Sequence, residues 1–432
     1  MTAPPTGPAL LTDHYELTMV QAARESGAAE RRCVFEVFAR SLPGRRRYGV
    51  VAGIGRLLDL LPNMRYDEAA LEFLAASGVV DAATCEWLAG YRFSGSIDAY
   101  AEGEAYFPGS PVLVVEGTFA ECVVLETLVL SVLNHDTAVA TAAARMICAA
   151  GERPCIEMGS RRTHEDAAVA SARASYIAGF AATSNLAAGQ RWGIPTTGTA
   201  AHAFTLVHPD ERSAFTAQVK ALGNDTTLLV DTYDVAEGIR TAIDVAGPSL
   251  GAVRLDSGDL PSQARDARRL LDSLGATKTR IVVTSDLDEH AIAGLAAAPV
   301  NAYGVGTSLV TGSGVPTAGF VYKLVAREHN GAFVPVEKRS VGKHSTGGRK
   351  WAARAMHNGV AVAERIYLGG DPEPHDDERP LHVRVVSGGD VVREPSLAEA
   401  REHCRRSRAE LPEEAMKLSP GDPALDVDYI NP

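Results

Sequence analysis

The chain has 432 residues, of which 46% are hydrophobic and 22% charged, the proportions of a globular protein with a sizeable core. Its formal net charge of -12 argues against non-specific nucleic-acid binding, which needs a basic surface that displaces counterions. Six scattered cysteines without a CxxC pair favour reduced thiols in a cytosolic protein over a disulfide framework or a zinc site.

The N-terminal residues 1–19 lack a basic region followed by a continuous apolar run, so they do not predict a signal peptide. The longest apolar stretch, residues 122–133, is interrupted by Glu126 and is too short to span a bilayer. We therefore expect a cytoplasmic protein with no membrane or nucleic-acid partner.

Residues 1–140 mix helix and strand patterns and predict an N-terminal α/β domain. Apolar residues recur at helical spacing over residues 13–23 and 54–61, whereas residues 33–39 alternate as in a strand. Glycine and proline punctuate residues 93–117, which predicts several short strands.

Residues 141–345 contain short apolar runs, each followed by a segment with helical spacing. The predicted strands are residues 154–158, 194–197, 227–230, 252–255, 281–284 and 302–305. Repeated strand–helix alternation is typical of right-handed parallel βαβ units. About six such units predict an α/β barrel, irregular or incomplete, as the catalytic domain.

Residues 346–432 form the third predicted segment, which is charged and rich in proline. They predict one helix around residues 397–409 and an acidic, loop-like tail. We expect this C-terminal segment to pack back on the N-terminal domain.

Charged, hydroxyl-bearing or glycine residues follow all six predicted strands of the middle domain. These stretches are residues 157–162, 198–202, 231–234, 254–259, 285–288 and 304–308. The carboxyl ends of parallel strands meet at one edge, where functional groups of such folds gather. Solvation of loops does not require so many polar groups, so the pattern predicts a site at this edge.

Three of these stretches indicate particular chemistry. Residues 304–308 (Gly-Val-Gly-Thr-Ser) would let backbone N–H groups approach an anion, although a tight turn is the simpler interpretation. Arg254 could grip a carboxylate at two points, and Asp256 and Asp259 could hold ribose hydroxyls or Mg²⁺; the alternative is a local ion pair. His202 follows small residues at a strand end, the place for a nucleophile or acid–base group, although a lone histidine is more often structural.

Two features of the N-terminal domain allow more than one interpretation. Arg45-Arg46-Arg47 is either a solvated loop, which the spacing slightly favours, or an arm that reaches phosphates. Tyr15 lies on the amphipathic first helix, where an aromatic residue ordinarily serves packing.

Taken together, these motifs resemble nicotinate phosphoribosyltransferase, of the type II phosphoribosyltransferase family. The resemblance covers nearly the whole chain, and its motifs occur in the family's order. They are residues 11–19, 35–38, 157–162, 198–202, 253–259, 303–307 and the arginine-rich helix before Leu411-Pro412.

The resemblance implies that nicotinate reacts with phosphoribosyl pyrophosphate to give nicotinate mononucleotide and pyrophosphate, the first step of NAD salvage from nicotinate. It implies coupling to ATP hydrolysis, as in a ligase, with Mg²⁺ as cofactor. It also implies a homodimer whose active sites lie at the subunit interface.

The resemblance assigns roles to matching residues. His202 stands where the family carries the histidine that ATP phosphorylates. Arg254 matches a residue near the nicotinate carboxylate, and Arg161 matches another cation of the site. Tyr15 matches the aromatic residue that a neighbouring subunit offers to the pyridine ring.

Further matches concern phosphate, metal and specificity. Gly304, Gly306 and Thr307 match the phosphate loop, with Ser285 added as a phosphate-binding residue; Asp256 and Asp259 match the carboxylates around ribose and metal. Relatives that use nicotinamide carry an aromatic residue in place of Met158 and an acid in place of Ser184. A neutral hydroxyl at Ser184 suits an anionic substrate, because a carboxylate there would repel nicotinate.

Two alternative functions remain. Quinolinate phosphoribosyltransferase also uses a barrel and a pyridine acid, but it needs cations for two carboxylates, releases CO₂ and does not use ATP. A non-catalytic nucleotide-binding regulator on the same barrel is the other. His202 and the two carboxylates Asp256 and Asp259 argue against the regulator, which would not need them.

Overall fold

The computed structural model describes residues 7–338, 346–369 and 375–430, and the chain divides into two compact units. Unit 1 comprises Met1–Thr141 and Thr317–Pro432, and unit 2 comprises Ala142–Pro316. The helices are α1 (His14–Glu25), α2 (Ile54–Leu60), α3 (Glu68–Ser77), α4 (Ala82–Ala89), α5 (Phe119–Val123), α6 (Glu126–Ala150), α7 (Glu165–Ala178), α8 (Leu186–Trp192), α9 (His202–Leu206), α10 (Glu211–Leu222), α11 (Val235–Ala246), α12 (Leu260–Ser273), α13 (Glu289–Gly294), α14 (Thr307–Val310) and α15 (Leu397–Ala409).

The strands are β1 (Arg32–Ala39), β2 (Gly49–Val50), β3 (Ser96–Tyr100), β4 (Ala105–Tyr106), β5 (Leu113–Thr118), β6 (Cys155–Glu157), β7 (Ala182–Thr183), β8 (Thr227–Leu229), β9 (Ala252–Leu255), β10 (Arg280–Val283), β11 (Ala302–Val305), β12 (Phe320–His329), β13 (Ala332–Pro335), β14 (Lys350–His357), β15 (Val360–Leu368), β16 (Glu378–Pro380), β17 (His382–Ser387), β18 (Asp390–Val391) and β19 (Asp426–Ile430).

Unit 1 is built on a sheet in the strand order β13-β12-β1-β5-β3-β17-β18. The inner strand β1 is buried at every residue except Arg32 and pairs antiparallel with both β12 and β5. Val37, Val115 and Tyr322 lie in the hydrophobic core that this sheet shares with the N-terminal helices. A second sheet, β16-β14-β15-β19, belongs to the same unit.

The segment after residue 316 leaves the barrel earlier than the predicted limit at residue 345, which itself lies outside the described residues. Phe320–His329 forms β12, which pairs with β1, for example Val37 with Tyr322. The partner strand is almost 290 residues earlier in the sequence, so no local pattern could reveal the pairing. The C-terminal residues also contribute to unit 1, because β17 pairs with β3.

The predicted helix around residues 397–409 is α15. A capping box formed by Ser396 and Glu399 begins it, since each side chain accepts a hydrogen bond from the other residue's backbone N–H. His403 Nε2 lies 2.8 Å from Oε2 of the buried Glu104. This contact joins α15 to the turn before β4. Burial opposes ionisation of Glu104, but hydrogen bonds from His403 and Arg379 hold its pKa well below the usual range.

The arginines at residues 45–47 have partners within unit 1. Arg47 Nη1 lies 3.1 Å from Glu414 Oε1, and Arg45 Nη2 lies 3.8 Å from Asp422 Oδ1. The backbone carbonyl of Arg45 also accepts a hydrogen bond from the N–H of Gly421. These contacts attach the loop to the C-terminal segment, and Arg46 is buried, so the motif is not the fully solvated loop that its spacing favoured.

Helical residues Phe119–Ala150 are long and apolar enough to cross a membrane by length and composition. Within the most apolar window of this segment, 67% of the residues are buried inside the protein. Such burial is typical of the core helix of a soluble protein, and so the segment is weak evidence for a membrane span.

Unit 2 carries a parallel sheet in the order β7-β6-β11-β10-β9-β8. The first strand, β6, pairs with the last, β11, as it would in a closed barrel. The strands β7 and β8 stand at opposite edges of the sheet, so the curled sheet stays open between them. The prediction of an incomplete α/β barrel is confirmed.

One predicted strand of the barrel is wrong. Residues 194–197 make only a single parallel bridge, Thr183 with Thr196, and the strand beside β6 is the two-residue β7. The other predicted strands correspond to β6, β8, β9, β10 and β11. Because all six strands are parallel, the polar residues that follow them meet at one edge of the sheet.

Candidate active site

A cavity of about 640 Å³ lies in unit 2 at the carboxyl edge of the parallel sheet. Its lining includes most of the residues that the sequence analysis singled out: Arg161, Ser184, His202, Arg254, Asp256, Ser285, Gly304, Gly306 and Thr307. The parallel strand order brings these residues together from loops more than 140 residues apart. Arg254, His202 and Gly306, on which the hypothesis depends, share this one cavity.

Two predicted site residues are not among those that line the cavity. Asp259 is the N-cap of α12, where its Oδ1 accepts a hydrogen bond from the N–H of Ser262 at 3.3 Å. Tyr15 belongs to unit 1, on α1, and is 47% exposed. Burial and the nearby carboxylates of Glu126 and Glu16 raise the pKa of Tyr15 to about 12.

Arg254 projects from β9, and two of its five guanidinium N–H donors are engaged. Its Nη1 donates to Thr199 Oγ1 at 2.7 Å, and its Nη2 donates to the carbonyl of Ala200 at 3.0 Å. The buried Nε has no hydrogen-bond partner among the described residues. Burial lowers the pKa of Arg254 and the carboxylates of Asp256 and Asp231 raise it, but arginine remains a cation in proteins. A fixed cation with an unused donor suits a carboxylate ligand.

His202 is the first residue of the short helix α9 and is 39% exposed. Its Nδ1 lies 3.1 Å from the hydroxyl of Thr232. Its Nε2 lies 3.9 Å from Asp231 Oδ1 and 3.9 Å from Asp256 Oδ2. The Nε2 edge of the imidazole therefore lies close to two carboxylates.

Asp231 is a site residue that the sequence analysis did not select. Its side chain is only 3% exposed, and its Oδ2 accepts hydrogen bonds from the Asp256 N–H at 2.7 Å and from Ser257 Oγ at 3.2 Å. Its Oδ1, which faces His202, has no hydrogen-bond partner in the part of the chain that the structure describes. The sequence feature that could have identified Asp231 is its position directly after a predicted strand. Asp234 lies in the same stretch, and spacing alone does not show which of these two aspartates faces the site.

Glu157, at the end of β6, organises the loop that carries Arg161. Its buried carboxylate accepts hydrogen bonds from the Gly159 N–H and the Thr183 hydroxyl, and its backbone carbonyl accepts one from the Ser184 N–H at 2.8 Å. Burial raises the pKa of Glu157, and the two hydrogen bonds to its carboxylate oppose that effect. One buried side chain thus holds two loops of the cavity together.

The glycine-rich stretch at the end of β11 passes close to neighbouring parts of the chain. A Cβ on Gly304 would lie 2.6 Å from Thr284 Cγ2 and 2.7 Å from Met158 Sδ, closer than real Cβ contacts. Gly306 has φ −115° and ψ −102°, outside the main regions allowed to other residues. Ser285 has a φ of 127°, and such strain clusters at functional sites. These positions favour close approach of backbone to a ligand.

The cavity is lined by more cations than anions. Arg161, Arg162 and Arg254 face it, against the carboxylates of Asp256 and Asp286. No group of three histidine, cysteine or acidic side chains in the described ranges has the geometry to hold a metal ion by itself. Magnesium in phosphate-binding enzymes is usually held by one or two carboxylates together with substrate phosphates, and this donor set fits that arrangement.

Comparisons with known proteins identify the relatives of this chain. Residues 10–134 match the family described as the nicotinate phosphoribosyltransferase N-terminal domain. A nicotinate phosphoribosyltransferase of Mycobacterium tuberculosis is 59% identical over 98% of this chain and 95% of its own length. That of Bacillus subtilis is 38% identical over 87% of this chain and 78% of its own length. The crystal structure of human nicotinic acid phosphoribosyltransferase gives a TM-score of 0.84 at 28% identity and covers 97% of each chain.

Proposed function

This chain belongs to the nicotinate phosphoribosyltransferase family, and on that premise we propose how its residues carry out the reaction. The chain is an enzyme that transfers a phosphoribosyl group from phosphoribosyl pyrophosphate to nicotinate, in the salvage of NAD. The single observation that carries the assignment of residues is the shared cavity of Arg254, His202 and Gly306.

The transfer is a displacement at the anomeric carbon of the ribose. The pyridine nitrogen forms the new bond to this carbon, while the bond to the pyrophosphate oxygen breaks and its electron pair leaves with pyrophosphate. Arg254 binds the nicotinate carboxylate, and Arg161 adds a second cation. The backbone N–H groups of residues 304–307 and the hydroxyl of Ser285 hold phosphate oxygens. Positioning and charge placement therefore supply most of the rate.

ATP coupling is assigned to His202. When Nδ1–H donates to Thr232, the Nε2 lone pair is free to attack the γ-phosphorus of ATP. The bond to the bridging oxygen then breaks, ADP leaves, and water later hydrolyses the phosphohistidine to phosphate. A phosphoryl group on Nε2 would stand beside Asp231 and Asp256, and repulsion from these carboxylates would make the intermediate labile.

Mg²⁺ is assigned to Asp256 and Asp231, together with substrate phosphates. Asp256 lines the cavity, and Asp231 has the buried oxygen without a partner among the described residues, whereas Asp259 caps α12. When bound, the cation would neutralise phosphate charge. Asp256 keeps its own place through a hydrogen bond from the Thr284 hydroxyl.

Tyr15 and the dimer form the next part of the proposal. The side chain of Tyr15 on α1 is 47% exposed, so Tyr15 is assigned to the pyridine ring bound by a neighbouring copy in a homodimer. The cytoplasm is assigned as the location, because six scattered cysteines without a CxxC pair are typical of thiols in a reducing compartment.

The test is mononucleotide formation from nicotinate, nicotinamide and quinolinate, each with and without ATP. We expect turnover of nicotinate with phosphoribosyl pyrophosphate, stimulated by ATP, and little turnover of the other two. CO₂ release from quinolinate without ATP would instead support a quinolinate phosphoribosyltransferase, and nucleotide binding without turnover would support a regulator. In the His202→Ala variant we expect loss of ATP stimulation; its persistence would exclude the phosphohistidine.

A further inference from the structure

The guanidinium of Arg254 is the anchor of the segment that leads into His202. Its Nη1 donates to Thr199 Oγ1 at 2.7 Å and its Nη2 to the carbonyl of Ala200 at 3.0 Å. His202 follows Ala200 by two residues and begins α9. The arginine and the histidine are thus joined through two hydrogen bonds and two peptide links.

This segment has few other attachments. The N–H of Thr197 donates to the carbonyl of Thr183, and the next backbone–backbone hydrogen bond runs from Phe204 to Ala201. Between these two bonds, residues 198–200 make no backbone–backbone hydrogen bond to any described residue. Arg254 therefore supplies the hydrogen bonds that fix the middle of the segment.

The same guanidinium is the group assigned to the substrate carboxylate. Since Nη1 and Nη2 each give one hydrogen to the segment, the donors left for a ligand are Nε and the second hydrogen of each Nη. Thr199 fixes the rotation of the guanidinium plane and hence the direction in which these donors point. A ligand that binds these remaining N–H donors therefore also affects the hydrogen bonds from Arg254 to Thr199 and Ala200.

Resting on the proposed function, we infer that Thr199 is a positioning residue that couples carboxylate binding at Arg254 to the reactivity of His202. Its hydroxyl orients the arginine for the acid substrate and makes the position of the histidine depend on whether that site is filled. Coupling between two sites is reciprocal, so phosphorylation of His202 also changes the affinity for nicotinate. Nicotinamide, which has no carboxylate, does not engage this coupling.

The test compares Thr199→Val with Thr199→Ser in the full-length chain. Valine keeps the size of threonine but has no acceptor for Arg254 Nη1, whereas serine keeps the hydroxyl. For Thr199→Val we expect KM for nicotinate to rise by roughly tenfold, from one lost charge-assisted hydrogen bond, with a much smaller change in kcat. Thr199→Ser should stay close to the wild type, and the thermal transition of both variants should show that they are folded.

The second readout is the amount of phosphohistidine formed from γ-labelled ATP with and without nicotinate. In the wild type, the amount of phosphohistidine with nicotinate should differ from the amount without it. In Thr199→Val, the ratio of these two amounts should be closer to one. A folded Thr199→Val that retains both the wild-type KM and the wild-type ratio would overturn the inference, as would equal losses in the valine and serine variants. Failure of the wild type to convert nicotinate would overturn the proposed function instead.

Discussion

Nε2 of His202 lies 3.9 Å from Oδ1 of Asp231, a carboxylate oxygen that is buried without a hydrogen-bond partner among the described residues. Burying a charged oxygen without compensation is costly, so a bound cation would stabilise this site. The other oxygen of Asp231 accepts a hydrogen bond from the N–H of Asp256. One side chain therefore connects the histidine to the loop that follows β9.

The first prediction concerns this carboxylate. Asp231→Asn keeps an oxygen for the Asp256 N–H but removes the charge beside His202, so we expect ATP-stimulated turnover to fall by about a hundredfold. Turnover without ATP should also fall, but by a smaller factor, because the variant loses one of the two proposed Mg²⁺ ligands. The matched control is Asp234→Asn, because Asp234 caps α11 and asparagine is an equally good N-cap. Equal effects of the two substitutions on ATP stimulation would contradict the assigned role of Asp231.

The second prediction concerns the choice of nicotinate over nicotinamide. Ser184 is exposed in the cavity, where Ser184→Asp would add a negative charge near the substrate carboxylate. We expect kcat/KM for nicotinate to fall by roughly tenfold to a hundredfold, and kcat/KM for nicotinamide to be preserved or raised. Ser184→Ala, which removes only the hydroxyl, is the control. If Ser184→Asp lowered both values by the same factor, charge would not be the cause.

The third prediction concerns the glycine loop. In Gly304→Ala, the new methyl group would press on Thr284 and the Met158 sulfur, and the backbone would have to shift. We expect a loss of about 1–3 kcal/mol in the free energy of unfolding and a higher KM for phosphoribosyl pyrophosphate. Gly294→Ala is the control, because that helical position has open space around it. If Gly304→Ala were destabilised but kept the wild-type KM for phosphoribosyl pyrophosphate, Gly304 would serve packing and not phosphate binding.

The fourth prediction concerns stability and pH in unit 1. Glu16 on α1 is buried and accepts hydrogen bonds from the Thr127 N–H and hydroxyl at 2.9 and 2.5 Å. Burial raises the pKa of Glu16 from an ordinary 4.5 to about 7, although these hydrogen bonds oppose the shift. Between these values the folded chain keeps a proton that the unfolded chain releases, so the contribution of Glu16 to stability falls as pH rises.

The measurement is urea unfolding of the wild type and Glu16→Gln from pH 4.5 to 8. Relative to the variant, the wild type should lose about 2–3 kcal/mol across the window from pH 4.5 to 7, and the loss should level off above pH 7. Glu25→Gln, at the exposed end of the same helix, should run parallel to the wild type. A constant difference between the wild type and Glu16→Gln would show that folding does not shift the pKa of this carboxyl group.

Local pattern was sufficient for much of the barrel and for most of the cavity. Helix and strand periodicity are properties of neighbouring residues, so β6, β8, β9, β10 and β11 and the helix α15 were predictable. The rule that parallel strands end at one edge then placed Arg254, His202 and Gly306 together without any knowledge of distances. The same rule identified the stretch that contains Asp231.

The tertiary structure decided the rest, because the deciding contacts join residues that are far apart in the sequence. The pairing of β12 with β1 places the residues after 316 in unit 1 and so sets where unit 2 ends. The edge strand beside β6 is the two-residue β7 and not residues 194–197. Among acidic residues with equal claims from spacing, loop geometry turned Asp231 towards His202 and Asp259 onto a helix end. Sequence patterns record which residues follow a strand, and only the packed chain shows which of their side chains meet.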